Sequence, residues 1–264
     1  MPLVKLTFGY DGTDFYGSQA QTGRRTVQSE LEAAVQEVGG GTHRLAFAGR
    51  TDRGVHAVGQ VASGEIHWNS TLVSLRAGLN AVSPKDIVVS SVEVVDSDFH
   101  ARFSARWREY RYRIVVTDVP PVLSQRCVWW RRDTLDDALA QDACQRLVGR
   151  HGFGSFASNG LSQSWPEAKL ERTVLDCQWW HSADATSASG RFSELRIVAT
   201  GFLPQMVRNI AGAVVQVASG AHPAGWIDEL LSAGDRRMLK EGAPPHGLIL
   251  WRVGYTEFGN GCQA

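Results

Sequence analysis

Residues 44–63, RLAFAGRTDRGVHAVGQVAS, hold two β-rich runs, 44–48 and 58–63, separated only by a glycine-flanked, charged loop. Two strands thus follow one another without a helix, which breaks the alternation that a doubly wound parallel sheet requires. Upstream, TVQSELEAAVQEV (26–38) opens on Thr26 and Glu30 and sets Val27, Leu31, Ala34, Val35 and Val38 at helical spacing, with Gly39-Gly40-Gly41 as its stop. Residues 3–9 alternate as a strand and end in the turn signal Tyr10-Asp11-Gly12-Thr13. Downstream, 71–81 reads as a helix closed by Ser83-Pro84, and IVVSSVEVV (87–95) as a strand.

The second half has the same order of elements without a sequence repeat. Strands are expected at 107–117 and 127–131, a helix at 134–148, and strands near 169–181 and 191–201. A helix at 205–219 and a strand near 248–255 complete it, and the small polar run SADATSASG (182–190) reads as a hairpin loop. The pattern predicts an α+β fold with antiparallel sheets, divided into 1–104 and 105–264.

Hydrophobic residues make up 43% of the 264 and charged residues 20%, the balance of an ordinary globular chain able to bury a core without disulfides. Lys plus Arg and Asp plus Glu are both 27, so the net charge is zero and a uniformly basic protein is excluded, though a basic patch is not. No run of 18 apolar residues exists, and MPLVKLTFGYDG lacks a basic-then-apolar leader, which predicts a cytoplasmic protein without a membrane span. Cys127, Cys144, Cys177 and Cys262 have no metal-ligand spacing and read as reduced structural thiols, with no zinc site expected. Neither a phosphate-binding G-x-x-x-x-G-K-[ST] loop nor a G-x-G-x-x-G fingerprint occurs, so ATP or NAD chemistry is not expected.

Three stretches could carry chemistry. In Gly49-Arg50-Thr51-Asp52-Arg53-Gly54, two arginines flank one aspartate and would stabilise its negative charge; such a carboxylate can act as nucleophile or base, and the arginines can hold a phosphate. The same composition also suits a solvated hairpin turn. In FHARFSARWREYRYRI (99–114), strand alternation puts Arg106, Arg108, Tyr110 and Tyr112 on one face and Trp107, Glu109, Arg111 and Arg113 on the other. Eight arginines and two acids between Ala101 and Arg132 give a local charge of +6. Arginine beside tyrosine suits an RNA strand with an unstacked base, and equally a solvated edge strand. In GFLPQMVRNIAGAVVQVASG (201–220), Pro204 fits a first helical turn and Arg208 is the single charge of a helix apolar nearly all round. It either reaches solvent past small residues or pairs with a functional carboxylate. His56 and His100 read as structural hydrogen bonders. The Trp129-Trp130 and Trp179-Trp180 pairs read as core and subunit interface.

Six segments in order, YDGTDFYGSQ (10–19), GRTDRGVHAVGQV (49–61), LNAVSPKDIVV (79–89), FHARFSARWREYRY (99–112), MVRNIAG (206–212) and APPHGLIL (243–250), resemble the TruA family of tRNA pseudouridine synthases. The resemblance implies two RNA-recognition-like subdomains whose antiparallel sheets join into one extended sheet, with a cleft between them. It implies a homodimer that acts on tRNA and converts uridine to pseudouridine at positions 38, 39 and 40 of the anticodon arm, with neither cofactor nor metal. It makes Asp52 the catalytic residue, Tyr110 a contact of the target uridine, Arg208 the partner of Asp52, and Arg50 the arginine linked to base flipping. Ser18 stands where the family often has tryptophan, and 201–205 departs from the commoner pattern. The competing class is a non-catalytic RNA-binding protein with the same basic, aromatic sheet. A carboxylate-nucleophile hydrolase would want a second acid or metal ligands, which 49–61 does not offer.

Overall fold

The computed structural model describes residues 2–39, 44–181, 191–239 and 242–259, so the expected hairpin loop at 182–190 and Cys262 lie outside the described residues. The chain forms two compact units. One joins the segment up to Arg106 to the segment from Ile249 onward, and the other is Trp107–Leu248. The expected division at 104/105 falls two residues before this boundary, but the C-terminal segment belongs to the first unit and not the second.

The first unit runs β1 (Leu3–Tyr10), α1 (Val27–Gly39), β2 (Ala46–Phe47), β3 (His56–Glu65), α2 (Leu72–Val82) and β4 (Ile87–Val95). β1 pairs antiparallel with both β3 and β4, and β2 pairs antiparallel with β3, which is a split β-α-β arrangement of order β4-β1-β3-β2. Alternate β1 residues, Val4, Leu6, Phe8 and Tyr10, are buried, as are Val27, Leu31, Ala34 and Val35 of α1 and Leu75 and Leu79 of α2. The Thr71 side chain caps α2 by accepting the Ser74 N–H, and the helix ends at Ser83 because Pro84 follows.

The second unit runs β5 (Trp107–Val116), β6 (Trp129–Arg131), α3 (Asp137–Arg146), β7 (Gly149–Gly152), α4 (Leu161–Ser164), α5 (Glu167–Leu170), β8 (Glu171–His181), β9 (Arg191–Ala199), α6 (Met206–Ala218) and α7 (Trp226–Ala233). Its sheet has the order β6-β5-β9-β8-β7. The last strand, β10 (Leu248–Gly254), belongs from Ile249 onward to the first unit and pairs there with β3 through Ile249 opposite His56 and Leu250 opposite Ala57. That pairing and the β5–β6 pairing are parallel, so the expected antiparallel pattern is broken at these two pairings.

Helix α6 is buried on nearly every side, as its apolar circumference predicts. Pro204 does not occupy its first turn. Gln205 is the N-cap with φ 63° and ψ 0°, the one non-glycine residue at positive φ among those described. The sequence reading missed α7, an eight-residue helix that ends at Gly234 in the left-handed conformation.

Candidate active site

Asp52 lies in the loop between β2 and β3, half-buried, with Arg50 and Arg53 exposed on either side. The loop is held mainly by the segment 10–18. Ser18, 1% exposed, accepts the Thr51 N–H on Oγ at 2.8 Å, and its own N–H donates to the Thr51 carbonyl at 3.1 Å. The Thr51 hydroxyl meets the Tyr10 phenol at 2.7 Å. Burial pushes the Tyr10 pKa up to about 12, with hydrogen bonds to Thr51 and Gln60 opposing the rise, so the phenol stays neutral. Gln60 Nε2 donates to the Gly49 carbonyl at 2.9 Å, and the Val55 N–H closes the turn on the Asp52 carbonyl at 3.2 Å. Gly12 has no room for a side chain, since a Cβ there would lie 2.0 Å from the Val55 oxygen. The residue beside Asp52 is therefore gripped on both backbone groups and its hydroxyl, while Asp52 itself reaches the surface.

Around this loop, Tyr16 lies between two guanidiniums, Arg24 at 4.5 Å and Arg53 at 4.4 Å from its ring centre. His56 is buried, and its Nδ1 accepts the Gly12 N–H at 3.1 Å. The Asp11 carboxylate lies 3.2 Å from the same nitrogen. His100 Nδ1 likewise accepts the Arg102 N–H, and both histidines serve as structural hydrogen bonders.

Tyr110 and Arg208 belong to the second unit. Tyr110, 7% exposed on β5, meets the Phe202 ring edge-on, with centres 5.1 Å apart. Half-buried Arg208 donates Nε–H to the Ala243 carbonyl at 2.9 Å, and the Ala243 N–H returns to the Arg208 carbonyl at 3.0 Å. The next residue, Pro244, accepts the Tyr112 hydroxyl at 2.8 Å, and a Cβ on Gly247 would lie 2.7 Å from that ring. Burial pushes the Tyr112 phenol well up, and the Arg208 charge pulls it back. The segments MVRN and APPHG thus brace one another and the tyrosine strand.

The other face of β5 is not an open basic surface. Glu109 and Glu194, 3% and 2% exposed, accept ion pairs from Arg111, Arg113 and Arg196 at 2.9–3.2 Å. Arg196 also pairs with Asp176 on β8, and Arg111 lies over the Trp180 ring. Register explains why the sequence did not show this: β9 sets Glu194 opposite Arg113 and Arg196 opposite Arg111. The local excess of arginine is partly offset by acids from later in the chain. Trp179 is buried, and its indole N–H donates to Asp137 at 2.9 Å.

Among the described residues, no group of three or more His, Cys, Asp or Glu could hold a metal ion. No helix among them is long and apolar enough to cross a membrane. The family model described as tRNA pseudouridine synthase matches residues 7–104 and 143–256. The chain is 40% identical over 258 residues to tRNA pseudouridine synthase A of Bacillus licheniformis, covering 96% of this chain and 98% of that protein. It is 38% identical over 255 residues to the namesake protein of Geobacillus kaustophilus, covering 96% and 95%. It is 39% identical over 261 residues to that of Roseiflexus castenholzii, covering 98% and 93%. With a pinned aspartate loop in one unit, a braced tyrosine strand in the other and these matches over nearly its whole length, the chain belongs to the tRNA pseudouridine synthase family.

Proposed function

We propose that this chain isomerises uridine to pseudouridine at positions 38, 39 and 40 of the tRNA anticodon arm, with Asp52 as the catalytic carboxylate. The carrying observation is the Asp52 loop. Ser18, Tyr10 and Gly12 hold the neighbouring backbone rigid, so the carboxylate is presented at a defined place, as positional catalysis requires. The reaction breaks the N1–C1′ bond, turns the uracil and joins C5 to C1′; C5 loses a proton to solvent and N1 gains one. Substrate and product have the same atoms, so no redox group or activated donor enters the balance. Asp52 attacks C1′ or the ring, or removes the C2′ proton; each role uses a fixed carboxylate next to the ribose.

Tyr110 holds the extruded uracil against its ring, with Phe202 supporting the ring's position. Arg208 orients Asp52 through its guanidinium, and exposed Arg50 assists opening of the stem and flipping of the base. The enzyme is cytoplasmic and works as a homodimer without a cofactor. Release of tritium from tRNA labelled at uracil C5 tests the reaction. Asp52→Asn is expected to abolish release while tRNA affinity stays within a few-fold of wild type. Substantial turnover by purified Asp52→Asn would overturn the assignment, and pseudouridine mapped outside 38–40 would overturn the target.

A further inference from the structure

We propose that a cavity of about 370 Å³ at the β7–β8 edge of the second unit receives a phosphodiester of the substrate RNA strand, with the Arg172 guanidinium as its principal ligand. Arg150, Glu171, Arg172, Thr173, Thr200 and Gly201 line it. Arg150 pairs with Glu171, which leaves their joint charge at zero. Arg172 is different. Its Nη1 donates to the Lys169 and Glu171 carbonyls at 3.0 and 2.6 Å, and among the described residues no carboxylate pairs with it.

A half-buried cation without a counter-ion is unfavourable unless an anion completes it. Burial accordingly pushes the Arg172 pKa below its usual value. Thr173 and Thr200 also line the cavity, and Gly201 sits against Arg172: a Cβ there would lie 3.8 Å from Arg172 Nε, in ordinary contact. A planar guanidinium fits a phosphate oxygen pair. The same chain segment continues from Gly201 into Phe202, whose ring meets Tyr110 edge-on. A phosphate held here would therefore anchor the strand near the ring assigned to the target uridine. The inference rests on tRNA being the substrate.

The test is tRNA affinity at several salt concentrations for the wild-type chain, Arg172→Gln, Arg172→Lys and Gly201→Asp. Loss of one charge-assisted phosphate contact should weaken Arg172→Gln about tenfold. It should also reduce the log–log salt slope by about 1, with Arg172→Lys keeping most of the slope. Gly201→Asp keeps every native side chain and places a carboxylate toward Arg172, so it should reproduce the defect even if Arg172→Gln folds poorly. An unchanged slope in Gly201→Asp and in folded Arg172→Gln would overturn the proposal. Titration with inorganic phosphate, followed by the Arg172 Nε–H resonance, separates the sources. A response to phosphate together with an unchanged tRNA slope in the variants would mean a free-phosphate site and would also overturn it. Tritium release by the wild-type chain is measured in parallel. If release is absent but the slope falls, the isomerase reading fails and RNA docking stands; if release is present and the slope is unchanged, the docking alone fails.

Discussion

At the residue scale, the contact between Ser18 and Thr51 matters most, because it joins two motifs 33 positions apart and ends one residue from Asp52. Ser18→Ala removes the acceptor of a buried N–H, which costs about 1–3 kcal/mol. Only part of that should appear as lost stability; the rest should appear as a looser Asp52. The expected result is a fall in single-turnover rate at saturating tRNA with little change in affinity, measured by rapid quench and by binding. A variant that is less stable but has the wild-type rate would make Ser18 merely structural. Tyr110 makes a different kind of contribution. Stacking on a base is worth about 1–3 kcal/mol, so Tyr110→Phe should keep much of the activity and Tyr110→Ala lose most of it. Thermal melts of both variants separate this from the packing that Tyr110→Ala also removes against Phe202.

At the scale of elements, α3 shows how a helix is tied to strands by charge. Asp136 caps it by accepting the Ala138 and Leu139 N–H groups. Asp137 in the first turn accepts from Trp179 and contacts His181 and Arg191 on β8 and β9. Burial alone would raise the Asp137 pKa, but the Trp179 and His181 hydrogen bonds and the charges of His181 and Arg191 bring it below the usual carboxylate value. A lowered folded-state pKa stabilises the fold above the unfolded value of about 4, and that contribution disappears as pH falls through the folded value. Asp137→Asn should therefore lower the melting temperature at pH 7, and the gap to wild type should close below about pH 4. A gap independent of pH would show that the carboxylate's charge is irrelevant. The helix itself was legible in the sequence, but its ends were not: the expected 134–148 contracts to Asp137–Arg146 because Asp136 sets the start and Gly149, at φ 117°, follows the end. Gln205 is a similar case. A sequence pattern gives proline-then-helix, whereas the chain places a left-handed residue between them, a conformation costing about 1–2 kcal/mol for a side chain with a Cβ.

At the scale of the whole molecule, zero net charge has to be reconciled with an anionic substrate. Arg111 and Arg113 are engaged by buried acids, whereas Arg106 is exposed with the Glu257 carboxylate 3.7 Å away, and half-buried Arg108 donates Nη1–H to the Thr200 carbonyl at 3.0 Å. tRNA affinity should fall steeply with salt, by about 0.9 in log–log slope per phosphate contacted, and replacing Arg106 and Arg108 together should flatten it. Affinity independent of salt would contradict this. Sedimentation of the same protein should show a dimer. The sequence by itself determined the α+β class, most of the long elements, the buried character of α6 and the family, because these depend on local periodicity and on motifs read in order. It also marked Asp52, Arg50, Tyr110 and Arg208 as the residues to examine. What only the tertiary structure decided is which remote groups complete them. Ser18 reads as a departure from a motif until β1 and the Asp52 loop are brought together. Glu194 reads as an ordinary strand acid until register sets it opposite Arg113. Arg172 reads as one more arginine until the strands around it leave it half-buried beside an open cavity. Hydrophobic period reports which face a residue occupies, but pairing across strands and loops sets its neighbours, and a neighbour 30 or 80 positions away (Ser18 to Thr51, Arg113 to Glu194) leaves no local trace in the chain.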